Sequence, residues 1–259
     1  MHPILFHIGP FEVRAWGIMV VLGIIVGTLL ISRLARKTGF IKEEQVLDFV
    51  IYAVVAAIIG ARIWEVAFSW QAYVNNPLDA LKFWNGGLSI QGGILGGLLF
   101  AIWFVKKHRI DFWEFADLLA PGLILGQGIG RIGCFLNGDA FGIPTKSIFG
   151  VSYQTGTPAF AAYGSTPLFP AELFEAGGDM AILVILLFMI KKKPTRGIVI
   201  LTYFILYSLL RFVLEFWRGD SLHTLFNLKV AQSLSLVTIA VAVVFIVMRS
   251  IQAKGKINN

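Results

Sequence analysis

Seven stretches of mostly apolar residues follow one another along the chain, at 16–32, 46–68, 86–105, 115–136, 168–190, 197–217 and 230–248. About 20 such residues in helical form cross a bilayer core, where every backbone N–H and C=O must bond within its own segment. The pattern predicts an all-α polytopic membrane protein with about seven transmembrane helices. Composition agrees, since only 14% of residues are charged and mean hydropathy is +0.77, against roughly 25% charged in soluble domains. A soluble domain, a disordered chain and a disulfide-built scaffold are excluded, the last because Cys134 is the single cysteine and one thiol makes no internal bridge.

The net charge of +7 does not mark a nucleic-acid binder, because the basic residues form short clusters between apolar runs rather than one stripe. Those clusters set an orientation. Segments 33–45, 106–114, 191–196 and 249–259 carry fourteen Lys and Arg, and the alternate segments 1–15, 69–85, 137–167 and 218–229 carry five. The positive-inside rule then puts the N-terminus outside and the C-terminus in the cytoplasm. The opening MHPILFHIGPF lacks the basic start and small-residue cleavage pattern of a removable signal peptide. Residues 1–259 read as a single integral membrane domain, and 137–167, rich in Gly and Pro, as a long irregular loop on the outer face.

Ionisable groups inside a bilayer cost roughly 2.5 to 3.5 kcal/mol each on insertion scales, so each asks for a reason. With the orientation above, Arg62 and Glu65 fall near the outer end of the second span, Arg131 near that of the fourth, and Arg211 and Glu215 near that of the sixth, with Arg218 just beyond. The fifth span begins with Glu172 and Glu175, and the third with Asn85 and Gln91. All of them sit at one depth, close to the outer headgroup boundary. Arg211, Glu215 and Arg218 share a helical face at i, i+4 and i+7, and Arg62 and Glu65 are spaced for a mutual pair. Arg131 has no carboxylate one turn away and needs an anion from another helix, the loop or a ligand. Arginine stays charged and matches phosphate oxygens two at a time, so inward-facing arginines at this depth suit an anionic phospholipid. Asp48 and Asp117 lie at the opposite end and read as interfacial helix-start carboxylates.

Other motifs are weaker. Gly128, Gly130 and Gly133 satisfy GxGxxG, but after a helix rather than a strand, so no dinucleotide site is implied. The pairs Gly23/Gly27, Gly92/Gly96, Gly93/Gly97 and Gly126/Gly130 read instead as small-xxx-small helix contacts. His2, His7, His108 and His223 lie outside the spans without ligand spacing, and no metal or cofactor is implied. Cys134 reads as a small apolar filler.

The run GRIGCFLNGDAFG, with NGGLSIQGG before it, PAELFEA after it, RFVLEFWR in the sixth span and HPILFHIGP at the start, resembles the prolipoprotein diacylglyceryl transferase family over nearly the whole chain. The resemblance implies transfer of a diacylglyceryl group from phosphatidylglycerol to the lipobox cysteine of a prolipoprotein signal peptide, releasing glycerol phosphate. It also implies a bacterial cytoplasmic (inner) membrane location, with the active site near the outer leaflet and membrane lipid as the medium. The family's headgroup arginine falls on Arg131 and its essential sixth-span arginine on Arg211. Gln91 stands where histidine is common in the family, Cys134 where asparagine is, Asp139 where glutamate is, and Trp16 where tyrosine is frequent; glutamine cannot serve as a general base.

The chemistry needs an aligned thiolate and stabilised negative charge on a departing phosphate. Arg131 and Arg211 are the expected charge carriers, with Asn137 as hydrogen-bonding helper, Glu215 orienting an arginine, and Glu175 or Asp139 accepting the thiol proton. Gln91, Arg218 and Gly142 complete the expected substrate contacts. A non-catalytic anionic-phospholipid-binding subunit would use the same arginines, whereas a transporter would place polar groups along a path or at the mid-plane.

Overall fold

A computed structural model describes residues 4–8, 11–82, 84, 86–192, 194–220 and 228–257; Asn85, Lys193, His2 and His223 lie outside them. A short antiparallel hairpin, β1 (Ile4–Ile8) and β2 (Phe11–Arg14), leads into helices α1 (Ala15–Thr38), α2 (Glu43–Phe68), α3 (Ile90–Lys107), α4 (Phe112–Asn137), α5 (Pro158–Tyr163), α6 (Ala171–Lys191), α7 (Ile198–Leu214) and α8 (Val230–Ile257). Seven of these, all but α5, are long and apolar enough to cross a membrane. The helices overrun the predicted apolar limits at most ends, because helical backbone continues through charged flanks such as Arg33, Arg36 and Lys37 of α1.

Two compact units result: one of residues up to Ile31 together with those from Ala116 onward, the other of Ser32–Phe115. In the second, α2 and α3 cross where Gly60 meets Gly92 and Gly96, so closely that a Cβ on Gly92 would overlap the Gly60 carbonyl. Small residues permit this approach where lipid supplies no hydrophobic drive between helices. Further along the same helices Phe49 packs edge to face against Phe104 and Phe115. Ile51, Val55, Ile59 and Ile63 form an exposed stripe at four-residue spacing along α2, the face expected to meet lipid.

Arg62 makes no ion pair with Glu65 among the described residues, contrary to the spacing argument. Its guanidinium donates instead to the backbone carbonyls of Asp79, Ala80, Lys82, Gly86 and Gly87. Five N–H donors in a fixed fork suit a cluster of loop carbonyls better than one carboxylate does, and Arg62 thereby ties down the segment joining α2 to α3.

In the first unit, Gly23 and Gly27 of α1 meet Gly126 and Gly122 of α4, and a Cβ on either Gly23 or Gly27 would stand 2.8 Å from the facing carbonyl oxygen. Gly130, expected in this contact, faces open space, and Gly122 takes its place. Asp117 is more than an interfacial carboxylate: its two oxygens accept from Gly197 N (2.6 Å) and Ile200 N (2.8 Å), capping α7 from a different helix. Orphan N–H groups and the positive end of the helix dipole both favour such a partner.

The segment after α4 is ordered by backbone pairing rather than left as an irregular loop. Val151 and Leu168 exchange both backbone hydrogen bonds, Phe169 N donates to Ile143 O, Ile143 N to Trp217 O, and Gly219 N to Phe141 O. Phe141, Tyr153, Ala159 and Leu168 form a buried cluster beneath it.

Candidate active site

The last turns of α4 and α7 and the first turns of α6 come together at one end of the first unit, and Arg131, Glu175 and Arg211 reach it from helical positions. Arg131, near the end of α4, places Nη2 2.8 Å from Oε1 of Glu175 in α6. Tyr207 of α7 joins both: its hydroxyl donates to Glu175 Oε1 at 3.1 Å and accepts from Arg131 Nη2 at 3.3 Å. One turn on, Arg211 sets Nη1 3.4 Å from Glu175 Oε2 and Nη2 2.9 Å from Glu215 Oε2. The anion that Arg131 lacks in its own helix is therefore Glu175, shared with a second arginine.

Past Arg211 the helix tightens into a 3-10 turn over Glu215–Trp217, and Arg218 leaves it in extended backbone. Lys229 Nζ holds this turn by donating to the carbonyls of Glu215 and Arg218, satisfying acceptors that a helix C-terminus leaves open. Arg218 then clamps Asp220 with two prongs, Nε to Oδ1 at 3.0 Å and Nη2 to Oδ2 at 2.7 Å, while Nη1 stands 3.6 Å from Glu175 Oε2.

Burial divides these groups by role. The Glu175 side chain is 0% exposed, Glu215 2% and Arg218 7%, whereas Arg131 and Arg211 keep 20% and 18% of their side-chain surface open. The carboxylates form the backing and two guanidiniums the accessible front. Removing one partner from a buried pair costs about 3–5 kcal/mol, because the other charge stays buried; Glu175 serves three arginines at once.

Asn137 and Asp139 lie at the end of the same α4 run, with Asn137 Nδ2 donating to Asp139 Oδ2 at 2.9 Å. Asp139 Oδ1 is buried without a hydrogen-bond partner among the described residues. Beside Asn137 opens a cavity of 340 Å³ lined by Ile4, Arg14, Thr157, Pro158 and Phe160. Gly142 sits where three backbones meet: its N donates to Phe169 O, it bridges Arg218, and a Cβ would come within 2.8 Å of Trp217 O. Its part is to let these chains approach. Gln91 belongs to the other unit, where Ser89 Oγ donates to its Oε1 at 2.6 Å.

Sequence reasoning missed four contributors. Tyr207 and Lys229 carry no local signal, since each acts on groups distant in sequence. Tyr153 donates to both oxygens of fully buried Glu172, at 2.9 and 3.1 Å; burial beside that carboxylate pushes the phenol well above its usual range, so it remains a donor. Asp179 had a visible signal, a carboxylate four residues after Glu175 inside an apolar run. It is 0% exposed, and both its oxygens lack a hydrogen-bond partner among the described residues.

A family model described as prolipoprotein diacylglyceryl transferase matches residues 3–248. The chain belongs to that family. Relatives named phosphatidylglycerol–prolipoprotein diacylglyceryl transferase include one from Oceanobacillus iheyensis, 39% identical over 94% of this chain and 86% of its own. One from Enterococcus faecalis is 38% identical over 96% and 91%, and one from Clostridium kluyveri is 37% identical over 99% of both chains. The diacylglyceryl transferase relatives are thus matched along nearly their full lengths, and the resemblance read from GRIGCFLNGDAFG and its companion runs extends to the whole membrane domain.

Proposed function

We propose that the chain transfers a diacylglyceryl group from phosphatidylglycerol to the lipobox cysteine thiol of a prolipoprotein, the first step of lipoprotein maturation, at the outer leaflet of a bacterial cytoplasmic membrane. The observation that carries this reading is the convergence of Arg131 and Arg211, from separate helices, on a buried carboxylate while each keeps part of its side chain exposed. The substrates are those in the relatives' names, and the excess of basic residues on the other side supports the outer placement.

In this reaction the cysteine sulfur bonds to the terminal glyceryl carbon while the bond from that carbon to the phosphate oxygen breaks. The electron pair leaves with the oxygen, giving glycerol phosphate and a thioether. Arg131 and Arg211 hold the phosphate and stabilise the charge that grows on it, as fixed donors in a water-poor site do best. Asp139, with one oxygen fixed by Asn137 and the other uncommitted, takes the thiol proton. Glu175, already accepting from Tyr207 and the arginines, orients them, and Glu215 does the same for Arg211. Arg218 fixes the backing through Asp220 and the Gly142 crossing. Gln91 is a glutamine and takes no part as a base.

The test is transfer of labelled phosphatidylglycerol lipid to a lipobox peptide. Arg131→Gln is expected to abolish it while the protein still inserts and purifies. Undiminished transfer by that variant would remove the proposed role.

A further inference from the structure

Counted by ion pairs, the three arginines of the cluster are matched by three carboxylates, and buried Asp179 adds a further acid close to Arg131 and Glu175. Arg131, Arg211 and Arg218 face Glu175, Glu215 and Asp220, all within ion-pair distance. Such balance is unexpected in a site whose only task is to attract an anion, since each buried carboxylate weakens the field the arginines present. Glu175 has the largest effect, because it sits behind both open guanidiniums and is itself completely buried, where solvent screens it least.

The proposed reaction supplies a reason. Its substrate is a phosphodiester carrying one negative charge, and its released product is a phosphomonoester carrying roughly 1.5 to 2 near neutral pH. Left uncompensated, the two open arginines would bind the product far more tightly than the substrate, and the enzyme would stall after each turnover. A fixed negative charge behind the guanidiniums penalises the more highly charged product more than the substrate.

We propose that Glu175 keeps the arginine cluster from retaining glycerol phosphate, so that this carboxylate governs product release as well as arginine orientation. The inference rests on the function proposed above. Glu175 acts here as a positioning residue: it touches the arginines, and the arginines touch the phosphate.

The experiment uses the full chain in phosphatidylglycerol vesicles and measures KM for the lipid and Ki for added glycerol phosphate. In Glu175→Gln the ratio of Ki to KM is expected to fall roughly tenfold, the differential effect of one neighbouring charge on the product's extra charge. A fall of less than threefold, or a rise, overturns the proposal; loss of orientation alone would lower kcat without moving this ratio. Should Glu175→Gln not fold, the wild type decides, by comparing inhibition by glycerol phosphate with inhibition by glycerophosphoglycerol, the singly charged headgroup mimic. Ki values within threefold of each other support the proposal, and glycerol phosphate binding more than threefold tighter overturns it. A wild type that folds but transfers no lipid would instead defeat the function itself, a result separate from either ratio.

Discussion

Tyr153 and Glu172 meet in a place from which water is excluded, and their contact joins the segment after α4 to the start of α6. Tyr153→Phe leaves the Glu172 carboxylate buried without that donor, a loss of about 1–3 kcal/mol. The expected outcome is a lower thermal midpoint in detergent; an unchanged midpoint would show that the pair contributes nothing. At the other end of the same unit, Asp117→Ala removes two acceptors from the first turn of α7. A cap of this kind contributes about 0.5–2 kcal/mol, so a destabilisation in that range, read from the same unfolding measurement, is expected. Single residues were partly legible from sequence. Arg131 announced its need for a distant anion because no carboxylate lay one turn away, and Glu175 was already marked as a carboxylate at the right depth. That Arg62 would bind loop carbonyls rather than Glu65 was not legible, since spacing along one helix carries no information about a loop that folds back over its end.

The helices were readable as elements because length and apolar character are set by the bilayer and not by tertiary context. Their pairings were less so. Glycine spacing located the crossings but not the partners: Gly23 and Gly27 meet Gly126 and Gly122, while Gly130 in the same row is left uncrowded. This difference is measurable. Gly92→Val forces side-chain atoms into the Gly60 backbone and is expected to destabilise the α2–α3 pair by at least the 1–3 kcal/mol typical of overpacking, whereas Gly130→Ala meets nothing within 4 Å and should leave the unfolding transition where it is. Equal effects of the two substitutions would contradict the assignment of contacts. The segment 138–170 reads as irregular because much of its order comes from isolated bridges, Pro144 and Val151 to Leu168 and Gly142 to Arg218, which have no periodic trace in sequence.

For the whole molecule, the distribution of Lys and Arg predicts a topology that labelling can test. In right-side-out vesicles, a Ser147→Cys variant is expected to react with an impermeant maleimide and a Lys37→Cys variant only after permeabilisation; the reverse pattern would turn the site toward the cytoplasm. Family membership and a polytopic helical fold could both be reached from the sequence, because the apolar runs and the GRIGCFLNGDAFG run are local patterns. The charge balance of the cluster could not, since it depends on α4, α6 and α7 meeting at one end. The most direct measurement of the central claim follows both halves of doubly labelled phosphatidylglycerol in vesicles containing the wild-type chain and a lipobox peptide. One glycerol phosphate released for each thioether formed, with both lost together in Arg211→Gln, is the expected result; a well-folded wild type that forms no thioether would contradict it.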